Sequence, residues 1–137
     1  MMGSAIQRAI FTRLSGLSSV ASLVNGIYAT IPQPDDAGDA ALFPYITIGN
    51  DSAAPMDTKT SDGVSVSIQI DVWSRAGNYI EAKDIAQAIY DALQKFDLVV
   101  VGANTISCNF ASSSVFDDPD GVTKRVMTLF TVTLDEI

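Results

Sequence analysis

Between Val64 and Val72 apolar and polar side chains alternate strictly: Val64, Val66, Ile68, Ile70 and Val72 share one parity, and Ser65, Ser67, Gln69, Asp71 and Trp73 share the other. A period of two places successive side chains on opposite faces of a strand, so the run predicts a strand with one dry side. It ends at Trp73-Ser74 and passes through Arg75-Ala76-Gly77 into a different period. Ala82, Ile85, Ala86, Ile89, Leu93 and Phe96 recur at helical spacing, which predicts an amphipathic helix whose apolar stripe lies on a sheet. Asn78 stands where an N-cap belongs and Glu81 follows three residues later, the spacing of a capping box at the positive end of that helix.

The same reading extends to both ends. Ser4 predicts the cap of a first helix over about residues 5–14, with Ile6, Ala9, Ile10 and Leu14 on one side and Gln7, Arg8 and Arg13 largely on the other. Ser18 or Ser19 starts a further helical turn that Asn25-Gly26 stops, and Ile27-Tyr28-Ala29 reads as extended. Pro32, Pro34, Asp35, Asp36, Gly38 and Asp39 mark a polar loop, and Pro44 precedes a short strand, Tyr45-Ile46-Thr47-Ile48. Residues 51–62, with Pro55 and four charges, show no period and predict a second polar loop. Leu98 to Val101 is apolar but short, and Gly102-Ala103-Asn104 interrupts the pattern. Ile106, Cys108 and Phe110 then give one apolar strand face. Asp117-Asp118-Pro119-Asp120-Gly121 predicts a turn into a last strand, Val122 to Leu134, with Val126, Phe130, Val132 and Leu134 on one face. The last two strands are expected to pair as a hairpin. Helix, strands, helix, strands with hairpin-like joins gives an α+β fold: a mostly antiparallel sheet of four to five strands with two main helices packed on one face, in a single domain over residues 1–137.

Composition narrows the chemistry. With 137 residues, 47% apolar and 18% charged, the chain suffices for one core. The absence of a membrane-length apolar stretch and of a signal-peptide pattern predicts a protein that is soluble and cytoplasmic where it is made. The single Cys108 excludes an internal disulfide and reads as a small core residue. There is no histidine, which removes the commonest general base and metal ligand, and no dinucleotide fingerprint, phosphate loop or nucleophile elbow occurs. No catalytic residue, cofactor site or metal site is assigned. Asp117, Asp118 and Asp120 read as a turn or as a weak Mg²⁺ or Ca²⁺ site, the only seat for a metal-dependent enzyme. A net charge of −8 opposes nucleic-acid binding by the whole surface. Residues 1–30 nonetheless carry Arg8 and Arg13 and no acid, which marks either two solvated arginines or a positive helix facing something negative. Trp73, Met127 and Leu129 occupy the non-core parity of their strands. This semi-apolar second face predicts either contact with another protein or, for Trp73, cover by a loop at the strand end.

The order of segments resembles the tail-completion or tail-terminator proteins of long-tailed bacteriophages and gene transfer particles. The resemblance rests on the N-terminal helix, Gly26-Ile27-Tyr28, the proline-rich loop, Phe43-Pro44-Tyr45-Ile46-Thr47-Ile48-Gly49, the run ending Asp71-Val72-Trp73-Ser74, the helix from Glu81-Ala82-Lys83 through Leu93, and Asp118-Pro119-Asp120-Gly121 before the last strand. It implies a structural virion protein without catalytic residues, made in a bacterial cytoplasm and placed at the head–tail interface. It further implies a homo-oligomeric ring, typically of six subunits, that caps the head-proximal end of the tail tube and stops its polymerisation. The implied partners are the tail tube protein and a head-completion or connector protein. DNA would pass through the lumen without specific binding, and no membrane is involved. A head–tail connector or neck protein is the alternative within the same class.

Overall fold

The computed structural model describes residues 3–29, 43–55, 63–119 and 121–136. The elements run α1 (Gly3–Ser15), α2 (Ser18–Ala21), β1 (Gly26–Tyr28), β2 (Tyr45–Pro55), β3 (Gly63–Ser74), α3 (Ile80–Leu93), β4 (Ala103–Asp117) and β5 (Lys124–Glu136). Among the described residues the strands form one five-stranded sheet in the order β1-β2-β3-β5-β4, antiparallel throughout except for the short parallel β1–β2 pair. The proline-rich loop, including Asp35, Asp36 and Asp39, lies outside the described residues, as do residues 56–62 and Asp120. Among the described residues no helix is long and apolar enough to cross a membrane.

The alternation in β3 sets the core. Val66, Ile68, Ile70 and Val72 are fully buried, and they join Ile46 and Ile48 of β2, Cys108 of β4 and Val126, Phe130, Val132 and Leu134 of β5 in one hydrophobic cluster. Ile6, Ile10 and Leu14 of α1 and Ala82, Ile85, Ile89, Ala92 and Leu93 of α3 complete it, matching both predicted helical stripes. Cys108 is fully enclosed there, and burial pushes its thiol pKa up to about 11, which keeps it neutral and unreactive.

Four local expectations need correction. Helix α1 includes Gly3, so Ser4 lies inside its first turn rather than capping it. Helix α3 begins at Ile80 behind Tyr79, with no side-chain cap at that position. Asn78 Oδ1 still accepts the Ile80 amide at 2.9 Å, but Glu81 reaches back to the strand, where its Oε1 accepts the Ser74 hydroxyl at 2.8 Å. The pair therefore joins the end of β3 to the start of α3 instead of closing a capping box. Strand β2 continues to Pro55, through residues that carry no strand pattern of their own. Ser52, Ala53, Ala54 and Pro55 pair in register with Ser67, Val66, Ser65 and Val64, so the longer partner strand imposes the extension. Finally, Ile106 does not share a face with Cys108. The register of β4 shifts between Thr105 and Ser107, a bulge that leaves Ile106 as the extra residue and 57% exposed.

Candidate assembly surfaces

The sheet face opposite the apolar parity of β3 is organised in transverse rows. The first row, in register across four strands, is Tyr45, Trp73, Arg125 and Phe116. Tyr45 stacks on Trp73 with ring centroids 6.0 Å apart, and the indole Nε1–H donates to Thr47 Oγ1 at 3.0 Å. The Arg125 guanidinium lies 4.8 Å from the Trp73 ring and 5.8 Å from that of Phe116. Its Nη2 donates to Asp71 Oδ2 at 3.0 Å, while Gln69 Nε2 donates to both oxygens of the same carboxylate at 2.9 and 3.1 Å. Asp71 is buried, and within the described residues Arg125 Nε has no hydrogen-bond partner.

Away from this end the face becomes hydroxyl-rich. Met127 and Leu129, both half-buried, lie opposite Asp71 and Gln69, and beyond them Ser67 pairs with Ser52 and Thr131 and Ser65 with Ala54 and Thr133. Small side chains in successive rows let another backbone approach closely. Trp73, by contrast, is itself buried at 7% exposure by Tyr45, Thr47 and Arg125, whereas Phe116 at 44% is the accessible aromatic of the row. Periodicity at the end of β4 could have pointed to Phe116, but a second register shift between Phe110 and Ser112 hides its parity. The outer edge of β4 is partly closed: Lys95 N–H donates to the Cys108 carbonyl at 2.8 Å, and Phe110 N–H donates to Gln94 Oε1 at 2.6 Å.

The two N-terminal arginines have different fates. Arg13 Nε donates to the Ala92 carbonyl in the last turn of α3 at 3.1 Å, and its guanidinium sits 3.6 Å above the Phe96 ring. A cation at the negative end of a helix is favourable, so Arg13 fastens α1 to α3. Arg8 is exposed beside a groove that Thr12, Phe96, Val99 and Val101 help to line. The structure thus brings Trp73, Met127 and Leu129 onto one sheet face and leaves Arg8 and Arg13 on α1.

The acidic turn is occupied by its own chain. Asp117 Oδ1 receives Lys124 Nζ at 2.6 Å, and Lys124, then Tyr79, holds the Asp117 carboxyl below the usual carboxylate range by hydrogen bonding. Asp118 N–H donates to the Thr123 carbonyl at 3.0 Å and Gly121 N–H to the Asp118 carbonyl at 2.9 Å, with Gly121 at φ 74°. Among the described residues no group of three His, Cys, Asp or Glu is placed to hold a metal. Replacing Asp117 and Asp118 together by Asn should leave the thermal midpoint nearly unchanged. Gly121→Val should lower stability by about 1–2 kcal/mol, because a β-branched residue resists positive φ. Thermal unfolding followed by circular dichroism checks both, and calorimetry showing micromolar Mg²⁺ binding lost in the Asn variant would restore the metal reading.

The outer sheet face is thus built of stacked rings, an ion pair and short hydroxyl side chains, and among the described residues no metal-holding cluster accompanies it. Residues 8–135 match the family model described as tail completion protein gp17. The chain is 30% identical over 121 residues to the tail completion protein gp17 of Bacillus phage SPP1, covering 88% of this chain and 85% of that relative. It therefore belongs to the tail completion protein gp17 family, whose members are structural proteins of virion tails and not enzymes. Among solved structures, the bacteriophage SPP1 gp17 protein matches with a TM-score of 0.63 at 28% identity, covering 95% of this chain and 88% of that one. A chain in the virion of a native gene transfer agent particle shares the fold more closely, with a TM-score of 0.87 at 24% identity over 98% of this chain and 97% of that one.

Proposed function

We propose that this protein is a tail terminator: six copies form a ring on the head-proximal end of the tail tube, stop its growth and offer the head-completion protein a surface that a tube subunit lacks. The observation that carries the reading is the family match from residue 8 to residue 135. In this reading the whole chain is one domain and both long helices cover one face of the sheet. The rows from Tyr45–Trp73–Arg125–Phe116 to the hydroxyl end are then left for neighbours, with Met127 and Leu129 as contact residues. Scale supports a ring of this size. A globule of 137 residues has a radius of gyration of ~14 Å, hence a diameter of roughly 35 Å as a sphere. A ring of six touching spheres encloses a hole one sphere wide, broad enough for a DNA duplex. A net charge of −8 disfavours adhesion of phosphates to the bore and lets DNA slide.

The test is removal of the gene and electron microscopy of the resulting lysate. Tails of uncontrolled length that fail to join filled heads are the expected outcome. Tails of normal length lying unattached beside filled heads would overturn termination and favour a neck role, and normal tails on heads would remove both.

A further inference from the structure

The two ends of α3 carry complementary surfaces. At its C-terminal end lies the groove between α1 and the segment after α3, walled by Val99 and Val101, which are 85% and 84% exposed, and flanked by Thr12 and Phe96. The charged residues lining it are both basic, Arg8 and Arg13, and of these Arg13 is held by the Ala92 carbonyl and the Phe96 ring while Arg8 is exposed. At the N-terminal end lies a second apolar hollow, lined by Leu23 and Ile80, which are 42% and 66% exposed, whose charged residues are both acidic, Glu81 and Asp84. A 14-residue helix places these surfaces about 21 Å apart. In a chain with 16 acidic and 8 basic residues, a groove lined by basic charges stands out, and an apolar hollow lined by acidic charges lies at the opposite end of the same helix.

We infer that neighbouring copies join head to tail through α3, the Leu23–Ile80–Asp84 surface of one subunit seating in the Arg8–Val99–Val101 groove of the next. The inference rests on the ring reading and deepens it by naming the contact. Two different, mutually complementary surfaces make a heterologous interface, the kind that a rotation repeats until the ring closes. Exposed valines and isoleucine supply the buried apolar area, and Arg8 against Asp84 selects the pairing and its direction. Arg13, fixed by its own subunit, stiffens the wall of the groove rather than reaching across.

The experiment places cysteines on both surfaces, Ile80→Cys and Val99→Cys, in the full chain and recovers assembled particles. Cys108 is enclosed in the core and stays silent. A short bismaleimide should link the double variant into a ladder of chains ending at the closed ring, and neither single variant should give that ladder. A ring visible by electron microscopy with only monomers after cross-linking overturns the α3 contact and leaves the terminator reading standing. Particles in which this protein forms no ring overturn both. A charge exchange supplies a second measurement. Arg8→Glu and Asp84→Arg, each still folded by circular dichroism, should lower the yield of filled, tailed particles by at least about tenfold. The combined variant should recover most of that yield, and failure of the combination to recover any would overturn the contact.

Discussion

Ile85→Asp should abolish cooperative unfolding at room temperature, while Ser67→Asp should leave a normal transition. Ile85 is 1% exposed in the middle of the α3 stripe, within the cluster that holds Ile68, Ile70 and Phe130. A carboxylate there has no partner, and burying an unpaired charge costs several kcal/mol against a total stability of about 5–15 kcal/mol. Protonation of the new Asp relieves part of that cost but leaves a polar group in an apolar site and the loss of isoleucine packing, itself about 2–5 kcal/mol. Ser67 lies half-buried on the other face of β3, paired with Ser52 and Thr131, where a carboxylate reaches water. Far-ultraviolet circular dichroism against temperature separates the two. Equal losses would mean that the two faces of β3 or the stripe of α3 are wrongly assigned.

The contrast also shows which parts of the fold were legible. Strand β3 and helix α3 could be read residue by residue because each buries one face along its whole length, so period and burial coincide. The N-terminal helix was legible for the same reason, and its exact start was not, since Gly3 and Ser4 extend the backbone without adding to the pattern. Strand β2 beyond Gly49 carries no signal because its extension comes from pairing with β3, past a register shift between Gly49 and Asp51. In β4 the register shift at Ile106 takes that residue off the face that Cys108 and Phe110 share, and a second shift after Phe110 hides the parity of the strand's far end. Pattern reports which side chains avoid water and is silent on where a ladder slips.

The candidate surfaces divide along the same line. Arg8 and Arg13 look alike in sequence, and only packing shows that Arg13 is consumed by Ala92 and Phe96 while Arg8 is exposed. Trp73 stands out as the one tryptophan, yet the residues that cover it, Thr47 on β2 and Arg125 on β5, are distant in sequence. Val99 and Val101 belong to a run that in sequence is only apolar and short, and they are the most exposed of the large hydrophobic side chains described. Their run alternates, with Leu98 and Val100 turned inward, but it is too short for its parity to be read without the neighbouring helix.

Removal of Arg125 should be the most damaging change on the outer sheet face. In Arg125→Met the Asp71 carboxylate, 9% exposed, keeps Gln69 and loses its cation, while Trp73 and Phe116 lose the guanidinium between them. Breaking a fully buried pair costs roughly 3–5 kcal/mol, largely through the charge left behind. Here Arg125 retains 27% exposure, so water screens part of the attraction and about 2 kcal/mol is expected, or about 8 °C in the thermal midpoint. Asp71→Asn should cost less, because a neutral amide in the same place strands no anion. The double variant should therefore be more stable than Arg125→Met alone, since the stranded charge that dominates the single loss is gone. If the two single losses simply add, the ion pair contributes nothing, and Arg125 holds this face through its contacts with Trp73 and Phe116 instead. In that case Arg125→Lys, which keeps the charge but not the planar fork that spans two rings, should be as damaging as methionine.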